Sequence, residues 1–390
     1  MDTKKRTADK VIEKFDLHDR LKHFRDRRTN PSISLPTILL CVLLMPLFNA
    51  TSLLALDRLA RSPQVKALFG GTGQKMVTSD STIRRALRWL APQQVSSFAT
   101  HIVAELNRRR MLTTRFVRGG PARRVAIVDG TYMSGHWMSV ACLTGSLTIA
   151  ALVGHMRGPG HELQQSSTLI KKLAKLGTAK PQLLLLDPLY FQTTTIKMIR
   201  TRGMHVLIKG ESMAHRTIVA DAANQFDAGA ADWSATGYDS ERLCRWSVEG
   251  TIATFAGISV QVGRFTETHS KSGKTRTWWV VTTDHSLSAA ELREAGYCRW
   301  RIENHYFKQL NERTGSKRFS VKDQRSFTTM LTLTSIGMAL VKWAVVILSR
   351  FGSLRKRIIG TEKRTLASWA TRITDSLPEG CFAFGSLGHG

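Results

Sequence analysis

Arg124-Val125-Ala126-Ile127-Val128-Asp129-Gly130 is an apolar run of strand length that ends in an acid and a glycine. Such a run, bounded by a turn signal, predicts a short strand. Two more strand-like runs follow at 137–143 and 147–153, then an amphipathic helix near 163–176. Gln182-Leu183-Leu184-Leu185-Leu186-Asp187 repeats the first pattern, a buried strand ending in an aspartate. A helix over 196–200 and a strand at His205-Val206-Leu207-Ile208-Lys209 complete the series.

The order strand, strand, strand, helix, strand, helix, strand predicts an α/β fold with a mixed sheet of ribonuclease-H-like type. In that fold the first and fourth strands lie side by side. Asp129 and Asp187 then meet at the carboxyl ends of their strands, where α/β sheets usually build sites. Working outward, residues 1–112 read as helical, with apolar spacing through Val11, Ile12 and Phe15 and through Ile83, Leu87 and Leu90. Ser79 to Leu90 opens with cap residues and carries Arg84, Arg85 and Arg88 on one side. Its basic face reads equally as a DNA-groove helix or as an ordinary solvated one. Gly70-Gly71-Thr72-Gly73-Gln74-Lys75 lacks the spacing and ending of a P-loop and reads as a plain loop. The predicted units are a helical DNA-binding domain over 1–112, a first core segment over 113–213 and a β-rich insertion over 214–285. Core helices over 286–350 and a basic tail over 351–390 follow. Strands are expected in the insertion at 246–248, 251–255, 258–265 and 277–282, with a hairpin tip at Ser272-Gly273-Lys274.

Lys plus Arg number 57 against 29 Asp plus Glu in 390 residues, a net charge of +28. An excess of that size favours a polyanionic partner. The plainer alternative is a basic soluble protein with no nucleic-acid role. The positive charge recurs along the whole chain, as an extended DNA path would require and a single basic anchor would not. The five cysteines are scattered and form no CxxC pair, which signals neither zinc nor a disulfide framework. A reduced, cytoplasmic setting is expected, and the polar N-terminus does not resemble a signal peptide. Two apolar runs, 35–48 and 328–349, are expected to be buried helices rather than membrane spans: the first is short and holds Pro36 and Pro46, the second contains Lys342.

Gly296-Tyr297-Cys298-Arg299-Trp300-Arg301-Ile302-Glu303-Asn304-His305-Tyr306-Phe307-Lys308 places one carboxylate in a helix crowded with cations and aromatic rings. A metal-binding carboxylate that faces a phosphate backbone needs such neighbours. Asp129, Asp187 and Glu303 supply hard oxygen ligands suited to two Mg²⁺ or Mn²⁺ ions. Two such ions, about 3.5–4 Å apart, activate a hydroxyl nucleophile and stabilise the leaving oxygen of a phosphoryl transfer. Each aspartate alone reads equally as a turn residue; the element order is what joins them. Asp284 reads as a turn or cap residue, His136 and His205 as structural or surface groups, and His305 as facing away from Glu303.

On these residues the chain resembles the DDE transposases of the insertion-sequence-4 group, over roughly residues 115–320. Asp129-Gly130-Thr131 matches the first motif of that family. Asp187-Pro188-Leu189-Tyr190-Phe191 is similar to the second, an Asp followed three residues later by an aromatic. Arg299-Trp300-Arg301-Ile302-Glu303 matches the core of the third, Y-x2-R-x3-E-x6-K. Two positions depart from it: Tyr297 stands two residues before Arg299 rather than three, and Leu310 occupies the lysine position, which leaves Lys308 or Arg313 as phosphate contacts. The resemblance implies that Asp129 bridges both metals, that Asp187 and Glu303 each hold one, and that Arg299 clamps a phosphate. Trp278 looks like the insert tryptophan that stacks on a flipped base in some relatives, though Trp278 and Trp279 read equally as core residues.

The implied activity is cleavage of the ends of the chain's own mobile element and joining of the 3′-hydroxyls to target DNA, with a hairpin intermediate on the excised end as a further expectation. Implied partners are double-stranded DNA and a second copy of the chain in a synaptic dimer, with no membrane, in a bacterial cytoplasm at the nucleoid. Two other readings remain open: a non-catalytic, sequence-specific DNA-binding repressor derived from a transposase, and a structure-specific ribonuclease-H-like nuclease.

Overall fold

In the computed structural model, residues 2–60, 79–211, 213, 216–319 and 321–350 are described, of which residues 2–6, 59, 60, 301, 303–305, 318 and 348–350 by backbone alone. The glycine-rich run at 70–75, the basic tail and Cys381 lie outside the described residues.

Six described helices precede the sheet: α1 (Asp2–Lys14), α2 (Leu17–Lys22), α3 (Leu35–Phe48), α4 (Leu53–Ala60), α5 (Asp80–Trp89) and α6 (Pro92–Arg108). Ser34 starts α3 by accepting a hydrogen bond from the Thr37 backbone N–H, and Asn49 in the left-handed region ends it. Because α3 is apolar on every face, it must be enclosed, and Leu35 to Leu47 contributes an almost unbroken row of buried residues. Ser79 caps α5 through the Thr82 N–H at 3.2 Å. That helix buries Ile83, Ala86 and Leu87 and leaves Arg85, Arg88 and Trp89 exposed.

The sheet begins with an antiparallel meander, β1 (Val125–Met133), β2 (His136–Thr144) and β3 (Thr148–His155). Helix α7 (Glu162–Leu173) then crosses to β4 (Leu183–Leu186), and α8 (Thr193–Arg200) leads to β5 (His205–Gly210). Strands β1, β4 and β5 pair in parallel, so the spatial order β3-β2-β1-β4-β5 is that of a ribonuclease-H-like core. The sequence placed the end of β1 at Gly130; in fact β1 runs on to Met133, because the tight Ser134-Gly135 turn folds β2 directly back along it.

The segment that the sequence assigned to a β-rich insertion starts with a helix the reading missed, α9 (Thr217–Asp227), and a missed edge strand, β6 (Trp233–Asp239). Expected strands at 246–248 and 251–255 are one strand, β7 (Cys244–Phe255), followed by β8 (Ile258–His269) and β9 (Thr275–Thr282). Gly273, at φ +67°, turns the β8–β9 hairpin at the predicted tip. Strand β9 pairs antiparallel with β5. All nine strands therefore form one sheet, in the order β3-β2-β1-β4-β5-β9-β8-β7-β6.

After the sheet come α10 (Ala289–Arg301), a π-helical turn at Ile302–Phe307, α11 (Lys308–Thr314) and α12 (Gln324–Arg350). A capping box between Ser288 and Glu291 starts α10. Helix α12 is long and apolar enough to cross a membrane, yet 94% of its most apolar window is buried inside this protein. It packs against α3, β3, α6 and α1, so the two apolar runs of the sequence bury one another. Its Ser335 hydroxyl accepts from the Ala150 N–H at 3.0 Å, beside the irregularity in the β2–β3 register.

The two faces of β9 explain its paired tryptophans. Trp279 stacks on Phe226 of α9, whereas Trp278 lies flat on Phe265, with ring centres 4.2 Å apart, beneath α10. Gly296 gives close packing at that crossing, since a Cβ there would lie 3.0 Å from the Lys209 side chain and 3.2 Å from the Trp278 ring. Below α10, Glu267 is 3% exposed and accepts from Arg293 at 2.7 Å, Arg276 at 2.6 Å and the Tyr297 hydroxyl at 2.5 Å. Burial alone would raise its carboxyl, but these donors hold it below the ordinary value of 4.5. Replacement Glu267→Gln should cost up to about 3 kcal/mol in a denaturant melt at pH 7, because Arg276 loses its carboxylate while Arg293 keeps its pairs with Asp239 at 2.7 Å and Glu294 at 3.1 Å. A depressed folded-state pKa means that this contribution is present above 4.5 and lost as pH falls below it, so the gap to wild type should close in acid.

Candidate metal centre

The β1–β4 register pairs Val125 with Leu183 and Ile127 with Leu185. Carried two residues further, the same register sets Asp129 beside Asp187. Both side chains cap local backbone: Asp129 Oδ1 accepts from the Gly130 N–H at 2.9 Å, and Asp187 Oδ1 from the Leu189 N–H at 2.9 Å. The second bond closes a 3₁₀ turn, Pro188–Tyr190, at the end of β4. Asp129 is 6% exposed; Asp187 is half-buried.

A third carboxylate joins them. Glu162, the first residue of α7, places one oxygen within 4.8 Å of an oxygen from each aspartate, and this is the cluster found among the described residues. Its Oε1 accepts from the Gly130 N–H at 3.1 Å and from the Tyr190 hydroxyl at 2.9 Å. Gly130 makes this approach possible, because a Cβ there would sit 2.5 Å from Glu162 Oε2. Burial raises the Glu162 carboxyl above its ordinary value, and the nearby charge of Asp187 adds to the rise. Glu162 went unnoticed in the sequence because an acid in the first turn of a helix is ordinary dipole complementation. Its only signal was position, directly after the crossover from β3.

Glu303 lies in the π-helical turn, a feature that recurs at functional sites. Its side chain, like that of His305, lies outside the described residues. Arg299, one turn earlier, comes within 4.0 Å of Asp129 Oδ2, so the end of α10 reaches the aspartates.

The remaining predicted contacts divide into inward and outward groups. Trp278 is 1% exposed and stacked on Phe265; its burial under α10 corrects the expectation that it stacks on a base. Tyr297 is likewise turned inward, its hydroxyl held by Glu267 and Arg276, which corrects its expected place against DNA. Arg313 bonds Asn49 at 3.1 Å and Arg84 pairs with Asp80 at 2.8 Å. Lys308, Arg85 and Arg88 are exposed. His136 and His205 are structural, bonded to the Val321 and Thr283 carbonyls. Asp284 caps the turn at Ser286 as expected, and also pairs with Arg123 at 2.8 Å.

A buried lysine lies beneath α10. Lys209 of β5 points its Nζ at three rings: Trp278 at 3.9 Å, Tyr297 at 4.3 Å and Trp300 at 4.9 Å. Burial, and then the charge of Arg276, push this amine down to about 7, against the pull of the aromatic faces toward a cation.

Three mutually repelling carboxylates on rigid elements form a hard-oxygen donor set. Mg²⁺ and Mn²⁺ prefer such donors, so the residues present fit a divalent cation. No curated protein matches the chain. A family model described as Transposase DDE domain matches residues 120–340, which span β1 to β9, α10 and much of α12. With more than half its length matched over the sheet that carries the carboxylates, the chain belongs to the DDE-domain transposase family.

Proposed function

We propose that this protein is a transposase of the insertion-sequence-4 group, which cuts the ends of its own mobile element and joins the freed 3′-hydroxyls to target DNA. The observation that carries the proposal is the meeting of Asp129 and Asp187 at the β1–β4 edge, with α10 brought alongside by Arg299. In this reading Asp129, Asp187 and Glu303 hold two Mg²⁺ or Mn²⁺ ions. When bound, the ions supply an activated oxygen nucleophile and neutralise the leaving oxygen.

The chain's own groups do the rest. Asp129 is fixed by its place in β1 and by the Gly130 N–H, so it needs no rearrangement to act as the central ligand. Arg299 is close enough to Asp129 to turn toward a phosphate held at the same point. Lys308 lies exposed beyond the π turn, where it can meet the DNA backbone. Arg85 and Arg88 extend the basic surface to α5, and a net charge of +28 accounts for affinity along a phosphate chain. Two ends cut in concert require a pair of copies, so the working form is a synaptic homodimer at the nucleoid.

Incubation with a plasmid bearing the gene's flanking DNA, in Mg²⁺, Mn²⁺ or EDTA, tests the reading. Wild type should cut at the flank ends only with metal. Asp129→Asn, Asp187→Asn and Glu303→Gln should each lose on the order of a thousandfold in cleavage, the equivalent of roughly 4 kcal/mol of transition-state stabilisation. DNA binding should survive in all three. Binding without any cut in wild type would point to the repressor reading, and cutting that ignores the flanks would point to a structure-specific nuclease. A double change, Arg85→Ala with Arg88→Ala, should lower the slope of log affinity against log salt by roughly 2, weakening all duplexes alike. An unchanged slope would remove α5 from the DNA surface.

A further inference from the structure

Tyr190 stands three residues after Asp187 and at first sight packs as a core aromatic, 1% exposed. Its hydroxyl, however, ends a buried chain of hydrogen bonds. Ser139 of β2 and Ser166 of α7 lie 2.8 Å apart, Ser166 and Tyr190 2.7 Å apart, and Tyr190 lies 2.9 Å from Glu162 Oε1. Both serines are fully buried.

Proton counting gives this chain a direction. An ionised carboxylate only accepts, so the single phenol proton of Tyr190 goes to Glu162. Tyr190 must then accept from Ser166, and Ser166 from Ser139. Every donor in the chain points toward Glu162, and bonds aligned this way strengthen one another in a site shielded from water. Together with the Gly130 N–H, the chain occupies Oε1 and leaves Oε2 for a cation. Such bracing has a physical purpose. Glu162 is pushed away by two aspartates and has three rotatable bonds, so without a tether it would swing toward solvent.

We propose that Tyr190 is a positioning residue of the metal centre: through the Ser139–Ser166 chain it holds Glu162 as a further carboxylate ligand beside Asp129 and Asp187. The inference rests on the metal-dependent reading above and adds a fourth acid and its brace to it. It also gives the spacing of the second motif a physical reason, since the 3₁₀ turn that starts at Asp187 carries the aromatic residue back over α7.

Mn²⁺ titration of the full-length protein without DNA, followed by the electron paramagnetic resonance of free Mn²⁺, tests it apart from activity. Glu162→Gln should weaken Mn²⁺ binding about tenfold or more, and Tyr190→Phe should do so within the roughly 10–100-fold range typical of groups that orient a ligand. The double variant should bind no more weakly than Glu162→Gln alone. Ser166→Ala, which leaves both Glu162 and the Tyr190 ring in place, should shift affinity in the same direction by less, and it serves as the second variant if Tyr190→Phe folds poorly. Equal losses from Tyr190→Phe with and without Glu162 would overturn the positioning role. Unchanged affinity in Glu162→Gln, alongside loss in Asp129→Asn, would overturn the proposal and leave the metal reading standing. Unchanged affinity in Asp129→Asn would overturn both.

Discussion

The parallel pairing of β1 with β4 is the constraint from which the rest of the site follows. Two strands locked in register bring two aspartates that are 58 positions apart in sequence to one sheet edge. Their charges repel, so the backbone must hold them there, and both are tied to local N–H groups. Strands buried on both faces can supply that rigidity: β4 is a run of four fully enclosed leucines, and β1 is flanked by β2 and β4. Asp129 lies within β1, between β2 and β4, and Asp187 directly follows β4, so the paired strands fix where both aspartates start.

Carboxylate repulsion then shapes what surrounds the edge. Glu162 enters over Gly130, where no side chain bars the way, and Tyr190 braces it. On the other side, the position of α10 is set by the cluster around Glu267 rather than by the aspartates. Arg293 and Tyr297 of α10 bind Glu267 of β8, and Gly296 lets the helix settle onto Trp278 of β9. Because β9 is bonded to β5, the segment between the second aspartate and Glu303 is a continuation of the core sheet. It acts as the platform for α10, which leads into the π-helical turn that holds Glu303.

The same economy appears in the apolar helices. Taken singly, α3 and α12 have the composition of membrane segments; placed together they exclude water from each other and from β3. Burial of the cationic and aromatic groups follows from similar geometry. Tyr297 and Trp278 have the chemistry expected of DNA contacts, yet their places on the underside of α10 turn that chemistry inward, to an ion cluster and a lysine cage.

Local pattern determined a good deal of this protein. Short apolar runs ending in Asp, with helices between them, were enough to order the core elements and to single out Asp129 and Asp187, because strand burial and turn chemistry are written in neighbouring residues. The two apolar helices were legible for the same reason. Helix α9 and strand β6 were not: the helical spacing of Val219, Ala222 and Phe226 is short and set among small residues, β6 has no fully buried position, and pairing with β7 makes β6 a strand. Tertiary structure alone decided which acids meet. In sequence Glu162 is an ordinary helix-start glutamate and Tyr190 the aromatic of the second motif; only the fold sets Glu162 over Gly130 and the Tyr190 hydroxyl against that carboxylate. Sequence records residue chemistry and local period, whereas the sharing of one point by several charges depends on strand register and on which helix face meets the sheet, and these exist only once the chain has folded.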